Sequence, residues 1–123
     1  MISDKDRAHL NRAIKIAYTS TERQRHGCVI VKGGRVISVG VNTFRNHPLF
    51  VSEPSKNSSY HAEINAMRGV EVKGATVYVA RVSRNNSAVM SAPCIYCMHA
   101  IMKAGAKRIV WTGNNDEVGE ILL

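Results

Sequence analysis

At 123 residues, with 45% hydrophobic and 21% charged content, the chain is sized for a single domain over residues 1–123 with one core. No stretch approaches the roughly 20 apolar residues of a bilayer span, and Met1-Ile2-Ser3-Asp4-Lys5 lacks a signal peptide's apolar region. The expectation is a cytoplasmic protein with no membrane partner. A net charge of +8, from 17 Lys and Arg against 9 Asp and Glu, favours nucleotides, nucleic acids or phosphorylated substrates without choosing among them, and equally describes an ordinary basic surface.

From Ser3 to Tyr18, Leu10, Ala13, Ile14 and Ala17 recur at i, i+3, i+4 and i+7, and Ser3 stands at capping-box spacing from Asp6. This is an amphipathic helix with one buried stripe. Cys28 to Lys32 and Arg35 to Val41 are rich in Val and Ile and flank Gly33-Gly34, so they read as a tight antiparallel hairpin. Asn42 to Ser59 holds Pro48, Pro54 and several Asn and Ser without a period, which reads as a long irregular loop.

A short helix is expected from His61 to about Arg68, stopped at Gly69, followed by a strand from Ala75 to Val82. Arg84-Asn85-Asn86 reads as a turn into a second hairpin with Ala88 to Ser91. Pro93 suits a helix's first turn, Cys94 to Ala104 is helix-compatible, and Gly105 is its stop. Ile109 to Trp111 is the following strand, with a short tail behind it. Alternating helices and strands after a hairpin indicate an α/β layered sheet.

Three cysteines are an odd count, too few for a disulfide framework, and Cys94-x-x-Cys97 points instead to metal or redox chemistry. His61-Ala62-Glu63 and Pro93-Cys94-x-x-Cys97 each begin a helix. One imidazole and two thiolates are three zinc ligands, and a three-ligand site leaves the fourth position open to water, as in catalytic zinc. On a helix Cys94 and Cys97 lie about 60° apart and converge, whereas His99 points about 140° or more from both. Helix N-termini favour thiolate over thiol. Glu63, two residues from His61, can reach an ion off the helix end and move a proton.

Taken singly, His61 with Glu63 is an ordinary helix start, and Cys94 with Cys97 is a redox pair or half a structural zinc site. Together they make a catalytic zinc site. Cys28, in an apolar strand, reads as a small buried hydrophobe. His9, His26 and His47 read as surface or hydrogen-bonding residues, with His47 in the loop that borders a pocket. Arg23, Arg25 and Lys56 read as surface cations, and Arg45 is carried forward as a candidate contact to substrate phosphate.

The pairing of His61-Ala62-Glu63 with Pro93-Cys94-x-x-Cys97 resembles the zinc-dependent cytidine and deoxycytidylate deaminase superfamily. The likeness extends over the N-terminal helix, the hairpin from Gly27 to Gly40, both motif helices and Ala106-Lys107-Arg108-Ile109-Val110. It implies a three-layer α/β/α cytidine deaminase-like fold with a mixed sheet of about five strands, and association of subunits into a homo-oligomer. It implies that His61, Cys94 and Cys97 hold Zn2+ and that Glu63 is the catalytic proton shuttle. It also implies that Asn42 and the backbone N–H of Ala62 contact substrate. The chain departs from the pattern over residues 80–92, where relatives pass almost directly from strand to motif, and in its short end after Trp111.

The implied activity is hydrolytic deamination of a cytosine nucleotide or nucleoside, with release of ammonia. His61-Ala62-Glu63-Ile64-Asn65-Ala66 resembles the deoxycytidylate form of the motif. A polynucleotide-editing enzyme such as a tRNA adenosine deaminase is the alternative, with nucleic acid as substrate, although 6% aromatic content is low for base stacking. A non-catalytic zinc-binding module is the third reading.

Overall fold

The computed structural model describes residues 2–44 and 59–123. Helix α1, Asp4–Ala17, begins at the expected box: Ser3 Oγ accepts the Asp6 N–H at 3.1 Å and the Asp6 carboxylate accepts the Ser3 N–H at 3.0 Å. Strands β1, Arg25–Lys32, and β2, Arg35–Val41, form the hairpin, with Gly33 and Gly34 at φ of 61° and 79°, values that glycine adopts without steric cost. Then follow β3, Thr43–Phe44; β4, Ser59–Tyr60; α2, Ala62–Met67; β5, Thr76–Val82; β6, Ala88–Val89; α3, Ile95–Lys103; β7, Arg108–Thr112; and β8, Val118–Leu122.

The main sheet has six strands in the order β2-β1-β5-β7-β8, with β6 paired to the end of β5. Only β5 and β7 run parallel, joined by a crossover through α3. Leu10 and Ala13 of α1 pack with Val29, Val31, Tyr78, Ala80 and Val110 on one face. Alternation sends Cys28, Ile30, Val77, Val79 and Ile109 to the other, where they meet Ala62 and Ala66 of α2 and Ile101 of α3. The three layers and the cytidine deaminase-like fold are as the resemblance implied, and Cys28 is a core residue.

Two expectations change. The tail is a strand, β8, antiparallel to β7, turned by Asn115 and Asp116 at φ of 56° and 65°. As an edge strand with Leu122 exposed, it lacks the clean alternation that marks a half-buried strand. The loop after β2 is also closed at its base, where Thr43 pairs with Tyr60 and Phe44 with Ser59. Two-residue ladders carry too few positions to show a period.

Glycine allows each helix of the hairpin's two faces to touch it. A Cβ on Gly27 would stand 2.2 Å from the Ala13 carbonyl of α1, and one on Gly40 would stand 2.5 Å from the Ala62 carbonyl and Ala66 nitrogen of α2. The α1 face is pinned by Asp6, which takes two hydrogen bonds from the Arg108 guanidinium, at 2.8 and 2.7 Å, and one from the Tyr78 hydroxyl. Arg108 holds the Asp6 carboxyl well below its ordinary range despite burial. A lowered acid stabilises fully above the unfolded carboxylate value near 4, so this contribution fades as pH falls below it.

Candidate metal centre and active site

The two motif helices present their first residues to each other. His61 is the N-cap of α2 and Cys94 the N-cap of α3, both with extended backbone (φ −76°, ψ 148° and φ −69°, ψ 168°). Helix α3 therefore starts just after Pro93-Cys94 rather than at the proline. An N-cap side chain ordinarily bonds its own helix's free N–H groups, and neither of these does. They turn instead toward Cys97, one turn into α3: His61 Nδ1 lies 3.1 Å from Cys97 Sγ and 3.5 Å from Cys94 Sγ.

All three donor atoms fall within 4.8 Å of one another, and they are the set expected from the motifs. Bonds of about 2.0–2.3 Å in a tetrahedron place neighbouring zinc donors roughly 3.5 Å apart, so the set suits the ion. The donor chemistry, two sulfurs and an imidazole, suits it as well. Among the described residues no fourth side chain joins the group, and His99 is exposed on α3 away from it. Cys97 is fully buried and Cys94 exposed, so the centre opens outward beside Cys94.

The scaffold behind the three ligands is tied down by hydrogen bonds. Asn65 Nδ2 donates to the Val41 carbonyl at 2.7 Å, clamping α2 to the end of β2. Ser91 Oγ accepts the Thr112 N–H at 3.0 Å and donates to the Val79 carbonyl at 3.0 Å, and the Ser91 N–H donates to the Thr112 carbonyl at 2.8 Å. These bonds fix the chain just ahead of Pro93-Cys94. The Met98 N–H reaches back to the Cys94 carbonyl at 2.8 Å and closes the first turn.

Electrostatics separate the two sulfurs. A hydrogen bond from the Cys97 thiol, with His61 assisting, brings Cys94 down to about 3, while its place as donor, together with burial, pushes Cys97 far up. Binding a metal through both sulfurs requires both to be thiolates, so it releases the proton held between them. Glu63, 4% exposed on the first turn of α2, has its carboxyl raised by burial, only partly offset by its own N–H and by His61. It feels His61 and Cys94, and it acts on Cys97 and Cys28. Burial thus favours the neutral form of this carboxyl, beside the three clustered donors.

Ala62 is the first residue of α2, carrying one of the N–H groups that helix geometry leaves without an intrahelical partner. Asn42 is buried at the end of β2, and much of its amide is engaged: Oδ1 accepts the His26 N–H at 2.9 Å and Nδ2 donates to the Gln24 carbonyl at 2.6 Å. Arg45 and His47 lie outside the described residues. Two residues that sequence reading passed over belong to this end of the sheet, His26 and Arg81. The sequence reads His26 as a surface or hydrogen-bonding residue; in the structure burial and then Arg81 push it down to about 4, and it feels both His61 and Cys94. Its two-residue spacing from Cys28 was the available signal, although spacing alone does not say which sheet face carries the site.

A family model for the cytidine and deoxycytidylate deaminase zinc-binding region matches residues 3–112. The chain belongs to this family. The dCMP deaminase of cyanophage S-TIM5 superposes with a TM-score of 0.67 at 21% identity, over 94% of this chain and 88% of that one. The cytidine deaminase of Burkholderia pseudomallei gives 0.68 at 16% identity over 98% and 93%. At those identities the likeness is one of fold. RibD of Acinetobacter baumannii gives 0.61 at 29% identity, but the match takes in 89% of this chain and 28% of that protein. A tRNA(Ile)-lysidine synthase of Deinococcus deserti is 29% identical over 93 residues, 76% of this chain, and the chain spans only 15% of that protein's length.

For this family member the contact under Gly40 has a functional consequence. Gly40→Ala is expected to push α2 off the hairpin and carry His61 and Glu63 with it. Overpacking costs about 1–3 kcal/mol. A displacement near 1 Å at a reacting group costs on the order of 10²-fold in rate. Thermal melting and ammonia release at saturating zinc measure both, and full activity would show that α2 need not seat this closely.

Proposed function

We propose that the protein is a zinc-dependent hydrolytic deaminase of a cytosine nucleotide or nucleoside, with deoxycytidylate the favoured substrate. The observation that carries this reading is the His61, Cys94 and Cys97 cluster, with three donors and buried Glu63 beside it. Zinc in that cluster would supply Lewis acidity, making water a competent nucleophile near neutral pH. Cys94 and Cys97, as thiolates, would balance the charge of that ion.

Glu63 takes a proton from the attacking water and delivers it to N3 of the cytosine ring as C4 becomes tetrahedral. It then passes the second proton to the exocyclic amine, the C4–N4 bond breaks, ammonia leaves and a uracil ring remains. The Ala62 N–H meets the base carbonyl as a hydrogen-bond donor. Asn42, with most of its amide committed to the start of β1, aligns that strand and keeps one N–H for contact with substrate.

The preference for a phosphorylated substrate is supported by the charge of +8 and by the fold shared with the cyanophage dCMP deaminase, whose structure with dCMP and dUMP superposes at a TM-score of 0.66. Asn65, on which the likeness to the deoxycytidylate motif rests, clamps α2 to β2. An ammonia-release screen over cytosine, adenine and guanine compounds as bases, nucleosides, monophosphates and short oligonucleotides is expected to give turnover on cytosine monophosphates. Turnover confined to oligonucleotides would replace this reading with polynucleotide editing. Stoichiometric zinc with no turnover on any compound would make the protein a binding module.

A further inference from the structure

We propose that Arg81 and His26 form the anion-binding end of the substrate pocket, holding a phosphate group of the substrate beside the metal centre. The inference rests on the deaminase reading above and assigns its phosphate to particular residues. The placement follows from strand register. Ile30 stands opposite Val77, Cys28 opposite Val79, and His26 opposite Arg81. The first two pairs lie in the core layer beneath α2 and α3, and side chains two apart share a face, so the His26–Arg81 pair faces the same side.

That pair is the last of the row toward the metal. Asn42, at the end of β2, bonds the His26 N–H, and Asn65 of the motif helix α2 donates to the neighbouring Val41 carbonyl. Arg81 donates to the carbonyl of Met90, four residues ahead of Cys94. His26 lies near enough to the guanidinium and to His61 and Cys94 to feel the charge of all three. Directly opposed residues of an antiparallel pair have Cβ atoms about 4.5–5.5 Å apart, near enough to grip one anion together.

Arg81 is half-buried and poorly satisfied. Among the described residues its side chain makes one hydrogen bond, at 3.4 Å to the Met90 carbonyl, and both ion pairs belong to Arg108. A guanidinium fork with free donors at the rim of a catalytic centre suits a phosphate, which it can hold through two parallel hydrogen bonds. The imidazole opposite it carries a further N–H. Arg25, the neighbouring cation on β1, is taken up by the Ser83 carbonyl and Asn86 Oδ1 and lies against Tyr18. Arg81 is also the second residue of the segment 80–92, which folds here as the β5–β6 hairpin, so the subsite is built where this chain departs from the family pattern.

The test compares wild type, Arg81→Ala and Arg81→Lys on dCMP, deoxycytidine and a short cytosine-bearing oligonucleotide, with melting temperature measured for each protein. The expected result is a roughly 10- to 100-fold fall in the kcat/KM preference for dCMP over deoxycytidine in Arg81→Ala, carried by KM, with partial recovery in Arg81→Lys. A fall on the oligonucleotide instead keeps the subsite and assigns its phosphate to a phosphodiester. Equal losses on all substrates, or none, overturn the proposal. If wild type releases no ammonia from any of the three, the deaminase reading fails by itself. Calorimetric binding of dCMP and inorganic phosphate then decides the subsite, supporting it if Arg81→Ala loses binding and overturning it if binding is unchanged.

Discussion

Glu63→Gln is expected to lower kcat for ammonia release by about 10²- to 10⁴-fold while zinc remains near one per chain. Glutamine keeps the shape and one acceptor of glutamate but can neither accept a proton from water nor return it. Because Glu63 stands outside the donor cluster, metal content is not at stake. Stability is not expected to fall, since the substitution removes a buried ionisable group whose charged form burial disfavours. The measurements are steady-state ammonia release, zinc by elemental analysis, and thermal melting. Glu63→Ala should be as inactive, with a small cavity added. A Glu63→Gln protein with wild-type turnover would remove the proton shuttle from the mechanism.

Cys97→Ser is expected to abolish tight zinc binding and, with it, detectable turnover. Cys97 is fully buried at the third position of α3 and lies closest to His61 Nδ1, so no alternative donor can swing in from solvent. A serine hydroxyl there is a poor zinc ligand, and the loss also removes whatever folding free energy the metal contributes. Wild type stripped by a chelator should lose activity in the same way, melt at a lower temperature and recover both on zinc addition, because a ligand that binds only the native state stabilises it by mass action. The variant should melt at the same temperature with and without zinc. A Cys97→Ser protein retaining one tightly held zinc would show that the cluster is not the binding site.

Much of this site was legible in the chain because its informative residues are local. A histidine and a glutamate two apart at one helix start, and two cysteines three apart at another, specify their own geometry once each helix forms. The caps, Gly33-Gly34, Gly69 and the apolar stripe of α1 mark the elements that carry them. Sequence spacing excluded His99 by helical geometry and placed Cys28 in the core by its apolar neighbours.

What local spacing does not contain is which elements lie side by side. His26 and Arg81 are 55 positions apart and become neighbours only through the β1–β5 register, so neither reads as part of a site until the sheet is assembled. The same holds for the partners of the Asn42 amide at the start of β1, and for β8, which exists because β7 offers it a partner. Residue types and their short-range periodicity thus determined the candidate metal donors, the proposed proton carrier and the helices that aim them. Tertiary structure decided what surrounds that centre, because strand pairing joins residues distant along the chain through backbone hydrogen bonds that any side chain can accompany.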